Sequence, residues 1–275
     1  MSEKNEGAGV SRDMGAPRCV AILGGASGIG AAVARRAAAG GAAVAILDLN
    51  GAAAEAMADE LGPKARAFIV DATDEAAMAA AADAVAESGL PPVDGLVASA
   101  GIPEVATPIE RYAADDFDRI LTSHVRTAYV FARAFGARMA AGEGGAVVFL
   151  ASVLSFRPGP VLAYGAGKGA LVNLTQSLAV HWAARGVRVN AVAPGWTDTP
   201  FIRAPRPDGS RRDIEPILRQ TPQGRLIRPE EIAEVIQFLL SPASSAITGV
   251  TLPADGGVMA GAGWAAYGGF PGPEG

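Results

Sequence analysis

The chain has 275 residues, half of them hydrophobic, with a net charge of −5, one cysteine and two histidines. That length holds one large core, and the acidic balance leaves no basic patch for nucleic acid or an anionic membrane. The lone Cys19 can close no internal disulfide, which suits a cytoplasmic protein; His124 and His181 stand in no ligand spacing, so no metal site is expected; and no stretch approaches the ~20 uninterrupted apolar residues of a membrane span.

Met1 to Ala16 mixes Gly, Ser, Glu, Asn and Lys without an apolar core and reads as a loose N-terminal tail, not a signal peptide. Residues 17–257 then read as one domain. Cys19 to Leu23 is a short buried strand, followed by the turn Gly24-Gly-Ala-Ser27-Gly28-Ile29-Gly30 and an Ala/Arg helix to Ala39. Glycine in a strand–turn–helix unit gives a tight turn, a backbone bare enough for a pyrophosphate to approach, and free N–H groups at the helix start to receive it. The second strand, Ala43 to Leu47, ends at Asp48, about twenty residues beyond the turn, where a carboxylate accepts hydrogen bonds from an adenosine ribose. A 2′-phosphate would meet Asp48 as a like charge, and Leu49-Asn50 offers no cation to receive it, so the placement favours NAD.

Helix and strand keep alternating. Gly51 to Leu61 reads as helix and Ala65 to Val70 as strand, with Asp71 at its end facing an adenine; Thr73 reads as the cap of a helix running to about Ser88. Asp94 to Ala98 reads as a fourth strand, residues 115–141 as a long helix, and Ala146 to Leu150 as a fifth strand with Ser152 just past it. The next helix carries Tyr164 and Lys168, four residues apart and therefore on one face about a turn apart. A nearby cation lowers a phenol pKa from its usual value of about 10, which would make Tyr164 a general acid or base. Strand Val187 to Val192 precedes Pro194-Gly195-Trp196-Thr197-Asp-Thr199-Pro200. Residues 199–226 lose their period and read as a substrate lid, whose arginines 203, 206, 211 and 212 are either a solvated surface or a site for an acidic substrate. A helix from Pro229 to about Leu240, a strand from Thr248 to Pro253 and Asp255-Gly-Gly257 complete the domain, and 258–275 form a tail with Trp264, Tyr267 and Phe270. The alternation predicts an α/β fold: a doubly wound parallel sheet with helices on both faces, binding ligands at the carboxyl ends of its strands.

Together these motifs resemble the classical short-chain dehydrogenase/reductase family, in order and spacing, from Cys19 to Gly257. Gly24, Gly28 and Gly30 match its G-x-x-x-G-x-G; Ser99-Ala100-Gly101 stands where it has Asn-Asn-Ala-Gly; Ser152, Tyr164 and Lys168 match its serine and Y-x-x-x-K; Pro194-Gly195 with Thr199 match its P-G-x-x-x-T; Asp255-Gly-Gly257 resembles its usual ending. The resemblance implies a single Rossmann-like domain in which Tyr164 exchanges a proton with the substrate oxygen, Ser152 hydrogen-bonds that oxygen, and Lys168 lowers the Tyr164 pKa and holds the nicotinamide ribose. It adds Ser27, Ile29, Leu49, Ala72, Ala100 and Thr197 to the cofactor set of Gly24, Gly28, Gly30, Asp48, Asp71, Gly101, Tyr164, Lys168, Pro194, Gly195 and Thr199. It also implies a homotetramer or homodimer, with the helices of Ile120 to Ala141 and Tyr164 to Arg185 pairing across subunits; the aromatic tail would pack on a neighbour.

The chain departs from the family at Leu23, Ala98 and Ser99, and at His124, which replaces an asparagine within Asp116-Phe-Asp-Arg-Ile-Leu-Thr-Ser-His124. His124 is either a member of a proton relay to Lys168 or a packed helix residue, and both readings stay open. The implied function is interconversion of a secondary alcohol, of polyol, cyclic or hydroxy-acid type, with its ketone, using NAD. Ser152, Val153, Leu154, Tyr164, Trp196, Phe201 and Ile202 are the substrate candidates. A ketoacyl-type reductase and a catalytically silent NAD-binding sensor or scaffold are the alternatives.

Overall fold

The computed structural model of the chain describes residues 17–205 and 209–270. The expected N-terminal tail, Arg206 of the lid and the last residues of the aromatic tail lie outside the described residues.

Seven strands form one sheet: β1 (Cys19–Leu23), β2 (Ala43–Asp48), β3 (Ala65–Ile69), β4 (Gly95–Ala98), β5 (Gly145–Leu150), β6 (Val187–Pro194) and β7 (Thr251–Ala254). Their order is β3-β2-β1-β4-β5-β6-β7, and every pairing is parallel. The strands nearest the centre are short apolar runs without polar alternation, as expected of strands covered on both faces. Their side chains alternate between two cores. Ala21 and Leu23 of β1 enter one core with Phe131, Phe135, Leu171 and Trp182, whereas Val20 and Ile22 enter the other with Val33, Ile232 and Ile236.

The second of these cores is covered by α1 (Gly28–Ala39), α2 (Gly51–Leu61) and α10 (Pro229–Leu240); the first is covered by α3 (Glu75–Glu87), the long helix of 114–141 and α7 (Leu162–Ala183). Strand order reverses between β1 and β4, so a crevice opens there at the carboxyl ends of the strands. Cys19 sits at the base of β1, where burial pushes its thiol up to about 12, and the chain uses it as a small core residue.

Several boundaries differ from expectation. The cap of α3 is Asp74, whose carboxylate accepts from Ala76 and Ala77 N, while the Thr73 hydroxyl turns back to donate to Asp71 at 2.7 Å. Strand β7 begins at Thr251, three residues late, because Gly249 takes φ +80 and breaks the extended run. The helix of 114–141 is not uniformly α. Segments α4 (Ala114–Leu121), α5 (Thr127–Phe131) and α6 (Ala137–Ala141) are joined by π-helical turns at Thr122–Arg126 and Ala132–Gly136. Within the first of these the Thr127 hydroxyl donates to Ser123 O, competing for a helical carbonyl. His124 lies in that widened turn.

Beyond β7, residues 258–270 lie against this same chain. Arg157 donates to Val258 O, and a Cβ on Gly261 would meet the Phe270 ring at 2.5 Å and Pro222 at 3.1 Å. Trp264 and Tyr267 remain exposed. Among the described residues no helix is long and apolar enough to cross a membrane, and no cluster of His, Cys, Asp or Glu could hold a metal ion.

Candidate active site

The carboxyl ends of the strands enclose a cavity of about 470 Å³. At one end stands the turn after β1. Gly24 and Gly28 take φ +76 and +53, which L side chains rarely adopt, and a Cβ on Gly24 would lie 2.7 Å from Ala100 N. Gly24 N donates to Leu47 O at 2.8 Å, so turn and β2 are one unit. Ser27 precedes α1 but makes no side-chain cap, which leaves the first amides of that helix without a side-chain partner. Asp48 accepts from Ala26 N at 3.1 Å and from Asn50 N at 3.0 Å, which fixes its carboxylate at the turn. Asp71 accepts from Thr73 N and Oγ1, and those bonds hold its carboxyl below the usual range. Uncapped amides beside a fixed carboxylate, with glycine where a Cβ would collide, are a donor set that fits a dinucleotide.

Of the residues expected to hold a cofactor, all but Gly30 line the cavity: Gly24, Ser27, Gly28, Ile29, Asp48, Leu49, Asp71, Ala72, Ala100, Gly101, Tyr164, Lys168, Pro194, Gly195, Thr197 and Thr199. Gly30 faces inward, and a Cβ there would fall 2.0 Å from Gly24 O. Its part is to let α1 close on the turn. The glycines after β6 and β7 also depend on each other, since a Cβ on Gly195 would lie 2.8 Å from Asp255.

The other end of the cavity is built on α7. Tyr164 and Lys168 share its inner face, with Nζ 5.6 Å from the phenol ring centroid. Lys168 is buried and donates to Leu150 O at 2.5 Å. Burial pushes its ammonium down to about 7. Burial likewise raises the Tyr164 phenol, and the opposing pull comes from a hydrogen bond with Ser152. The sequence pairing predicts Lys168 as the group that lowers Tyr164; in the folded chain the two stand on one face of the helix, and the ammonium is itself desolvated. Ser152 is placed by a reciprocal turn: its Oγ accepts from Leu154 N, its N donates to Ser155 Oγ, and Ser155 Oγ donates to Lys168 O.

His124 is buried, its ring edge-on to Tyr164 with centroids 5.1 Å apart. Its Nε2 lies 2.9 Å from Ile102 O. Burial first, then the Lys168 charge, pushes the imidazole down to about 3, so the ring is neutral. A carbonyl only accepts, which assigns the proton to Nε2 and leaves Nδ1 an acceptor, buried without a partner among the described residues. The π turn brings the ring so close to Gly101 that a Cβ there would lie 2.1 Å from Cε1. In the folded chain His124 is thus a neutral ring packed under Gly101, with Nδ1 as its acceptor.

The substrate candidates Ser152, Val153, Leu154, Tyr164, Trp196, Phe201 and Ile202 all line this end, with the Phe201 ring 5.9 Å from that of Tyr164. Two further lining residues were not singled out by pattern. Glu104, from the loop after β4, accepts from Tyr164 N at 2.6 Å and Ala163 N at 3.4 Å. It caps α7, whose own cap position, Val161, has no side chain able to do so. A long helix starting without Ser, Thr, Asp or Asn was the signal that an acceptor must come from elsewhere. The other is Arg212, one of the four lid arginines, whose guanidinium stands 5.9 Å from the Trp196 ring centroid.

A family model described as Enoyl-(Acyl carrier protein) reductase matches residues 24–259. The galactitol 2-dehydrogenase (L-tagatose-forming) of Cereibacter sphaeroides is 42% identical over 246 residues, 87% of this chain and 94% of that protein. The cis-4-hydroxycyclohexanecarboxylate dehydrogenase of Sinomonas cyclohexanicum is 40% identical over 250 residues, 89% of this chain and 98% of the other. Among solved structures, a 3-ketoacyl-(acyl-carrier-protein) reductase from Brucella melitensis complexed with NADH superposes with a TM-score of 0.79 at 36% identity, covering 88% of this chain and 98% of that one.

Proposed function

Because the chain belongs to the classical short-chain dehydrogenase/reductase family, and is by that kinship an alcohol/ketone oxidoreductase, we propose that it oxidises a secondary alcohol with NAD, Tyr164 acting as general base. The observation that carries the reading is that Ser152, Tyr164 and Lys168 line the same cavity as the glycine turn and Asp48, with Lys168 Nζ 5.6 Å from the Tyr164 ring centroid. Asp48 supports NAD over NADP, since its carboxylate is held in place by Ala26 N and would repel a 2′-phosphate.

A nicotinamide dinucleotide held by the glycine turn and Asp48 would supply the acceptor for the hydride of the carbinol carbon. Tyr164 takes the hydroxyl proton, and Ser152 donates a hydrogen bond to the same oxygen as its charge changes, so that two hydroxyls favour the transition state over the ground state. Lys168 would hold the nicotinamide ribose, and its charge, 5.6 Å from the Tyr164 ring centroid, favours the phenolate. Gly195, Thr197 and Thr199 hold the carboxamide side. His124 accepts through Nδ1 in the relay behind Lys168. Residues 199–226 act as the lid, since Phe201, Ile202 and Arg212 reach the cavity from it.

The chain assembles as a homotetramer or homodimer through the helix of 114–141 and α7. Those helices leave Tyr129 and Val180 44% and 83% exposed.

The test is NADH formation across a panel of secondary alcohols. Tyr164→Phe is expected to lose on the order of 10²–10⁴-fold in turnover while still binding NAD; turnover retained in that variant would refute the reading. Preferred reduction of a ketoacyl thioester would instead select the reductase alternative, and NAD binding without turnover of either class the sensor.

A further inference from the structure

The substrate end of the cavity has apolar walls, made by Leu154, Val161, Phe201 and Ile202, and three charges: Lys168, Glu104 and Arg212. Two of the three are committed. Lys168 donates to Leu150 O, and Glu104 accepts from the first amides of α7. Arg212 makes no hydrogen bond or ion pair among the described residues and rests against Trp196. Three other arginines of the region are paired, Arg203 with Asp198, Arg219 with Glu215 and Arg225 with Glu231, and the adjacent Arg211 does not line the cavity.

We propose that the substrate is a hydroxy acid with a compact apolar body, its carboxylate received by Arg212. This rests on the alcohol-oxidising reading above and narrows it. A guanidinium 5.9 Å from the indole centroid is within cation–π range, and its N–H fork can bond both oxygens of a carboxylate. Arg212 is itself exposed, so the pair would draw its strength from the two-pronged geometry. The apolar walls argue against a polyol, whose additional hydroxyls would face Leu154, Val161 and Phe201 without partners. A cyclic or short aliphatic body meets those side chains at no such cost, and its remote carboxylate sets the distance from carbinol carbon to anchor.

The experiment compares 4-hydroxycyclohexanecarboxylate, its neutral carboxamide and galactitol as substrates of the holoenzyme, with Arg212→Gln and Arg212→Lys beside the native chain. The native enzyme is expected to favour the acid over the amide by on the order of 10- to 100-fold in kcat/KM. Arg212→Gln brings that ratio towards one, and Arg212→Lys keeps part of it. A native ratio near one, a preference for galactitol, or an equal loss on acid and amide in Arg212→Gln overturns the proposal. Calorimetric titration of cyclohexanecarboxylate into the NADH complex of Tyr164→Phe gives a readout independent of turnover: saturable binding that disappears when Arg212→Gln is added supports Arg212 as the anchor, and binding unmoved by that change removes it. If no secondary alcohol is oxidised at all, the parent reading fails, while the titration still decides the carboxylate site.

Discussion

The two ends of the cavity are built by different means. At the β1–α1–β2 end the functional atoms are backbone atoms, held by Gly24 N on Leu47 O, by Ala26 N on Asp48, and by glycines whose added Cβ would strike main chain at 2.0 to 2.7 Å. At the end made by α7 and the 196–221 region they are side chains: Tyr164, Lys168, Trp196, Phe201 and Arg212, positioned by ring contacts, single hydrogen bonds and the short helices α8 (Pro200–Arg203) and α9 (Glu215–Gln220). Main chain cannot yield locally, whereas side chains can be exchanged one at a time. The first end should respond to substitution in an all-or-none way and the second by degrees.

The largest effect follows from Gly30→Ala. Its Cβ would have to occupy space 2.0 Å from Gly24 O, with no flexible side chain to give way. Loss of about 3 kcal/mol or more of stability, together with loss of NAD binding, is expected in denaturant titration and fluorescence binding. A normally stable variant that binds NAD would break the contrast.

Glu104→Ala should fall between the extremes. It removes the cap of α7 and the bond on Tyr164 N, so we expect a loss of about 1–2 kcal/mol in stability and about tenfold in kcat with little change in KM for NAD. Glu104→Gln keeps the acceptor oxygen and should recover most of both. Failure of Gln to rescue would mean that the charge, not the acceptor, is what α7 needs.

The effect most graded in pH belongs to Lys168. Its ordinary value is 10.5 and its folded value about 7, so between these the unfolded chain holds a proton that the folded chain does not. Stability of the cofactor-free protein therefore rises with pH from about 7 to 10.5, and the cost of burying the charge is fully present below 7. Lys168→Met should flatten that slope while abolishing turnover. A slope unaltered in the variant would assign it to another group.

The same division governs what could be read from the amino acids alone. The parallel sheet, the glycine turn and the placement of Asp48 follow from apolar runs, glycine and spacing, all of which are local signals. Tyr164 and Lys168 were legible as a pair because i and i+4 share a helix face. What that spacing could not reveal is where the ammonium goes, since Leu150 O comes from a neighbouring strand 18 residues earlier. Glu104 was hidden for the same reason, its partners lying 59 and 60 residues away. Asp74 displaced Thr73 as the cap because both have capping side chains and Asp71 draws the threonine hydroxyl away. The π turn that carries His124 under Gly101 leaves no mark in hydrophobic period, because Thr122–Arg126 is a largely polar run in which His124 alone is buried.

The central claim is that one oxygen is held by Ser152 and Tyr164 while hydride leaves the carbon that bears it. The direct measurement uses a turned-over secondary alcohol with deuterium at the carbinol carbon and follows the label into reduced cofactor by NMR. The account predicts that the label appears wholly on one face of the nicotinamide C4, and that Ser152→Ala and Tyr164→Phe each suppress its transfer. Label lost to water, or transfer undiminished in both variants, would contradict it.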